Sequence, residues 1–205
     1  MKTSIFSENK KYTFSDYFDM TASTEDIVTE LGYLFSVEKL NLPTQTNYDS
    51  DIISKLNNNY NSIFAQINLS SELAKREFLI APLLIAITQH STTKINVEYP
   101  IYINEKLSGS LDYLLKNRQE IIIIEAKRKD IDSGFNQLAA QLIAMDNYED
   151  NASIDTVYGA ITLGDVWKFA LLNRATKTIK KDIYSYTIPH NTDEIFAILM
   201  GILNI

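Results

Sequence analysis

Three side chains near the middle of the chain, Asp112, Glu125 and Lys127, have the types and spacing for phosphorus chemistry if the fold brings them together. Two carboxylates offer hard oxygen ligands to a divalent cation such as Mg²⁺, which keeps waters and substrate oxygens in its other positions. A lysine beside them can hold a water or hydroxide against a phosphorus atom while the metal lowers the pKa of that water. The cation also neutralises charge on a phosphate in transfer.

The elements around these residues decide whether they can meet. Glu125 and Lys127 follow an apolar run, Ile121, Ile122, Ile123 and Ile124. Strand alternation puts Ile121, Ile123, Glu125 and Lys127 on one side and Ile122, Ile124 and Ala126 on the other. Four consecutive isoleucines predict a central strand buried on both faces. Charge at the end of such a strand must be paired, metal-bound or exposed in a cleft. Asp112 falls on the preceding strand, residues 109–115, and "KNRQ" is expected to turn the chain between the two. About that turn Asp112 and Glu125 are not mirror positions, so a bulge or splay has to bring them together. An isolated Glu-x-Lys is more often a solvated pair at a strand end. The isoleucine run, the upstream Gly-x-x-Asp and a glutamine-bearing helix downstream weigh against that.

Gly109-Ser110-Leu111-Asp112 followed by Glu125-Ala126-Lys127 resembles the signature of the PD-(D/E)xK nuclease superfamily, the restriction-endonuclease-like fold, with Leu111 where the name has Pro. The order helix, three strands, helix, strand over residues 70–165 matches that αβββαβ core. The resemblance implies Asp112 and Glu125 as ligands of Mg²⁺ or Mn²⁺, the Ala126 carbonyl as a third, and Lys127 as the residue that positions water. It further implies a supporting acid on the first helix and a glutamine on the helix after the motif. Glu77, an odd acid within the stripe Leu73, Ile80, Ala81, Leu84 and Thr88, fits the first role. Gln137 fits the second, with Gln141 behind it on the same face. The implied activity is metal-dependent hydrolysis of phosphodiester bonds in nucleic acid, with DNA expected. The alternative is an inactive nucleic-acid-binding or protein-interaction module on the same fold.

The rest of the chain bounds this reading. Its 205 residues, 45% hydrophobic and 22% charged, suit a globular α/β protein: a mixed central sheet flanked by helices. Without cysteine, disulfides, zinc–thiolate sites and thiol nucleophiles are excluded. A net charge of −7 argues against coating nucleic acid by bulk electrostatics but leaves room for a local basic groove. Two basic concentrations exist, Lys127-Arg128-Lys129 and Arg174, Lys177, Lys180 and Lys181; the second reads as a solvated loop. No signal peptide or bilayer-length apolar run, about 20 residues, is visible, so a cytoplasmic protein is expected. Residues 1–69 read as an N-terminal helical extension, with a helix from Thr24 whose apolar stripe is Ile27, Leu31 and Leu34 or Phe35 and a second over 52–67, and residues 70–205 as the nuclease-like core, its last strand over 183–188. Pro82 should kink or break its helix, and Pro100 should mark an edge strand or bulge. Ser133 should cap the helix that carries Gln137. Cleaving both strands of a duplex is easiest for a homodimer.

Overall fold

The computed structural model describes residues 4–7, 10–117, 121–127, 130–148 and 154–203. Helices α1 (Phe14–Phe18) and α2 (Thr24–Glu30) lead into strand β1 (Leu34–Glu38) and helix α3 (Ser50–Gln66). A short helix, α4 (Glu72–Lys75), passes through a wide π-helical turn (Arg76–Ile80) into α5 (Ala81–Gln89). Then come β2 (Lys94–Asn104), β3 (Leu107–Lys116), β4 (Ile121–Ala126) and α6 (Ile131–Asp146). The chain closes with β5 (Thr156–Thr162), β6 (Val166–Asn173), β7 (Thr178–Asp182), β8 (Tyr186–Thr187) and α7 (Thr192–Leu203).

All eight strands form one mixed sheet in the order β1-β7-β6-β5-β4-β3-β2, with β8 paired to β6. The expected mixed α/β architecture holds. The isoleucine strand β4 is central, antiparallel to β3 and parallel to β5. Each face carries its own core. On one, α1, α2 and α6 cover Leu114, Val157 and Ile161; on the other, α3, α5 and α7 cover Leu115, Ile124, Ala126 and Ala160. Helix α6 is buried at every position from Gly134 to Met145, so it sits between the sheet and the N-terminal helices. Each large apolar side chain so buried contributes roughly 1.5–3 kcal/mol. Pro100 lies on β2, an edge strand, and the β2–β3 register shifts between Tyr102 and Asn104, in keeping with the expectation for that proline. No helix among the described residues is long and apolar enough to cross a membrane.

The first 69 residues are not purely helical. Gly32, at φ 87°, ends α2, and the N–H of Tyr33 turns back to the carbonyl of Val28. A left-handed glycine at that place stops a helix, so Leu34 and Phe35 cannot extend its apolar stripe. They join the sheet instead, parallel to β7. The second basic cluster is likewise no solvated loop. Only its first part turns, and Lys180 and Lys181 lie on β7, paired with Glu38 at 2.8 Å and Asp132 at 2.7 Å. The strand expected over 183–188 is reduced to β8. The cap of α6 is Asp130, not Ser133: its Oδ1 accepts from the N–H groups of Asp132 and Ser133. Arg128 and Lys129 of the first cluster, and Arg118 and Gln119 of the expected turn, lie outside the described residues.

Arg174 ties the end of α6 to the sheet. Its Nε donates to Asp146 Oδ1 at 2.6 Å, and its two Nη atoms donate to the carbonyls of Asp146 and Ile154 at 2.8 and 2.9 Å. A cation is favoured at a helix C-terminus, and removing one partner of a semi-buried charged network leaves the other uncompensated. Arg174→Ala should therefore cost about 2–4 kcal/mol in urea unfolding, and a loss below about 0.5 kcal/mol would contradict this role.

Candidate active site

The β3–β4 ladder pairs Lys116 with Ile121 and Tyr113 with Ile124, so the connection runs through residues 117–120. Asp112 and Glu125 are the next residues past the last ladder pair, Tyr113–Ile124, at a point where Leu111 packs into the α6-side core and Tyr113 into the opposite one. The ladder register is displaced by one residue from that of a turn centred on 116–119, which brings Asp112 level with Glu125, and the change of core between Leu111 and Tyr113 accords with the expected splay. The backbone ladder ends there. The N–H of Ala126 donates to Asp112 Oδ2 at 2.8 Å, so the aspartate side chain closes the strand pair. The next N–H, of Lys127, donates to the Thr162 carbonyl on the other flank at 2.8 Å. Since a strand residue's N–H and C=O point the same way, the Ala126 carbonyl faces the Asp112 side, as a third oxygen ligand would.

Glu125 is 1% exposed, and a buried carboxylate requires donors. It has three. Gln137 Nε2 donates to Oε1 at 2.6 Å, Gln141 Nε2 to Oε2 at 2.5 Å, and Lys127 Nζ to Oε1 at 2.6 Å. Gln137 and Gln141 stand one turn apart on α6. The helix comes this close because its first turn carries a glycine, Gly134. A Cβ on Gly134 would stand 2.4 Å from Ile161 Cδ1 and 2.9 Å from Lys127 Cγ. The stem of Lys127 thus lies in the notch where a side chain is missing. Its ammonium also stands 5.4 Å from the centre of the Phe18 ring, a cation–π contact supplied by the N-terminal α1.

Glu77 does not join this group. It is exposed and makes no hydrogen bond or ion pair among the described residues. The wide turn is the reason. The N–H of Ala81 bonds to the carbonyl of Arg76, five residues back, which inserts a residue into the helical repeat and shifts the facing positions. The same widening makes room for Pro82, which would clash with the carbonyl four residues before it. Arg76 therefore faces the site. Its Nη1 lies 2.6 Å from Glu98 Oε1 and 3.7 Å from Asp112 Oδ1, and its guanidinium lies 5.1 Å from the centre of the Tyr113 ring.

The electrostatics follow from burial. Desolvation, then the charge of Asp112, raises the pKa of Glu125 from 4.5 to about 8 against the pull of Lys127. Burial raises that of Asp112 too, opposed by the Ala126 N–H and by Arg76. Among the described residues no three acidic or histidine side chains converge, so the hard-oxygen set is the two carboxylates with the Ala126 carbonyl. Gln137 Oε1 and Gln141 Oε1 are buried without a hydrogen-bond partner. These amide oxygens could accept from metal-bound water or, with an amide turned over, from a protonated Glu125. Two carboxylates, a carbonyl and waiting acceptors fit a hydrated Mg²⁺.

No family model, no curated protein and no solved structure matches the chain. Geometry alone carries the site. It unites Asp112, Glu125, Ala126, Lys127, Gln137 and Gln141 and leaves Glu77 outside. It adds Arg76, Glu98, Gly134 and Phe18, which the sequence reading did not single out. Of these only Gly134 carried a signal, as a glycine within the first turn of a helix.

Two outcomes test this arrangement. Glu125 binds its proton more tightly folded than unfolded, so the wild type should lose stability as pH rises from about 4.5 toward 8, and Glu125→Gln should not. In metal-free buffer the variant should gain on the wild type by about 1–3 kcal/mol across that window; a constant difference in urea midpoints would refute the burial argument. Gly134→Ala should lower stability by about 1–3 kcal/mol through the crowding of Ile161 and Lys127, read from thermal unfolding, and an unchanged midpoint would mean that the notch is not needed.

Proposed function

We propose that the protein is a metal-dependent nuclease with a restriction-endonuclease-like core, hydrolysing phosphodiester bonds of nucleic acid, with DNA as the expected substrate. The observation that carries this reading is the convergence of Asp112, Glu125 and Lys127 where β4 ends beside the middle of β3, with Glu125 held by Gln137 and Gln141. The succession α5, β2, β3, β4, α6, β5 supports the same core. A cytoplasmic setting and a homodimer that cuts both strands belong to this reading.

Asp112 and Glu125, with the Ala126 carbonyl, are the groups that would hold Mg²⁺ or Mn²⁺. A cation bound there supplies a water of lowered pKa and neutralises charge on the phosphate. The chain's own groups do the positioning. The Ala126 N–H keeps the Asp112 carboxylate turned to the strand end. The two glutamine amides fix both oxygens of Glu125. Lys127, tethered to Glu125 and confined by the Gly134 notch, presents an ammonium whose remaining N–H bonds can orient the attacking water. Water adds to phosphorus, and the P–O bond to the departing sugar oxygen breaks.

One observation favours a second reading, an inactive binding module: three donors already occupy Glu125, and among the described residues no third acid joins the pair. Incubation with supercoiled plasmid, linear duplex, junction and single-stranded DNA in Mg²⁺ separates the two. Cleavage should appear with at least one form and fall by about 10²-fold or more in Lys127→Ala and Asp112→Asn. A Mg²⁺-dependent thermal shift that Glu125→Ala abolishes, without cleavage of any DNA or RNA form, would establish the inactive module. No metal response and no cleavage would end both readings.

A further inference from the structure

Arg76 is poorly placed to be an ordinary structural ion pair. Its side chain is only 18% exposed, yet the carboxylate it holds most closely, that of Glu98, is 56% exposed. The buried acid, Asp112, receives the longer contact of 3.7 Å. The arginine is therefore aimed at the site from within, and its tightest partner lies on the solvent side. That partner is held at some conformational cost. Glu98 sits inside β2, between Val97 and Tyr99, which pair with Tyr113 and Leu111, and its φ of 52° is a left-handed conformation unusual for a non-glycine residue in a strand. Such outliers persist where the surroundings enforce them and concentrate at functional sites. Tyr113 steadies the guanidinium from below, through its ring and through a hydroxyl 3.4 Å from Nε.

A guanidinium pairs with phosphate by the same planar fork that it offers a carboxylate. Glu98 is more than half exposed and can return to water when it leaves, so its exchange for a phosphate on the guanidinium costs little. We propose that Arg76 grips a backbone phosphate of the substrate next to the reacting centre, and that Glu98 is a stand-in for that phosphate, keeping the guanidinium extended until nucleic acid displaces it. This rests on the nuclease reading. It gives a protein of net charge −7 a cation at the cleft that is withheld from other anions. It also explains why the wide turn presents Arg76, rather than Glu77, to the site.

The test is fluorescence anisotropy of a short labelled DNA duplex and its single strand, in Ca²⁺ to support binding without turnover, across a salt series. Arg76→Gln should weaken binding about tenfold or more and reduce the slope of log K against log [salt] by about one. A merely structural residue would leave that slope alone. Arg76→Lys should keep the slope and recover only part of the affinity, because it keeps the charge and loses the fork. Glu98→Gln, a change at an exposed side chain, should tighten binding severalfold. Thermal unfolding of each variant checks that the fold is kept. If the wild type binds or cleaves while Arg76→Gln retains its affinity and salt slope, the exchange is overturned and the nuclease reading stands. Glu98→Gln weakening binding as Arg76→Gln does would overturn the stand-in role. A wild type that neither binds nor cleaves any DNA or RNA form overturns the nuclease reading and the exchange together.

Discussion

A carboxylate with 1% of its surface left to water has to be answered by its surroundings, and much of this protein's middle can be understood as the answer to Glu125. The strand that carries it is central, so neither flank offers solvent. Donors must come from a helix laid across the strand end and from the strand's own continuation. Helix α6 supplies Gln137 and Gln141, and Lys127 supplies the charge. For α6 to approach closely enough, its first turn needs a glycine, and Asp130 must begin the helix in a left-handed conformation, φ 65°. One buried acid thus constrains a helix start, a cap and two amides. An apolar residue at position 125 would relieve all these demands, so their joint presence points to chemistry rather than to stability.

The same site depends on segments far away in sequence. Phe18 lies by Lys127, and α1 and α2 pack on the outer side of α6. Asp146, at the far end of α6, accepts from Tyr33 at 2.5 Å and from Arg174 at 2.6 Å. Both ends of the helix that orients Glu125 are therefore pinned by residues from outside the αβββαβ segment. The N-terminal third is a structural part of the domain.

The sequence made the chemistry legible and the geometry only in part. Glu125 and Lys127 could be named because they end a run of four isoleucines, and Asp112 because a Gly-x-x-Asp precedes that run by one strand. Their register could not, since a connection displaced by one residue moves every cross-strand partner. Glu77 was misplaced because periodicity reasoning assumes 3.6 residues per turn throughout, and the π-helical turn adds a residue midway. Pro82 is the visible symptom: the expected kink or break takes the form of a π-helical turn just ahead of it. Strand β1 was missed because its apolar residues continued the spacing of α2 across Gly32, whose left-handed backbone ends the helix. Arg76 and Glu98 carried no signal, since an Arg on a helix and a Glu on an edge strand are ordinary until the fold sets them face to face.

The parallel pairing of β1 with β7 joins Leu34 to Thr178 and Glu38 to Asp182, early residues to late ones. During synthesis β1 emerges long before the strand it needs, and with Leu34 63% and Val37 55% exposed even in the finished sheet, it is a sticky edge while it waits. Contacts so distant along the chain slow folding, because the loop they close must be ordered first. The sheet can be completed only once β7 has left the ribosome, and a fragment begun at residue 70 would lack the strand that covers β7.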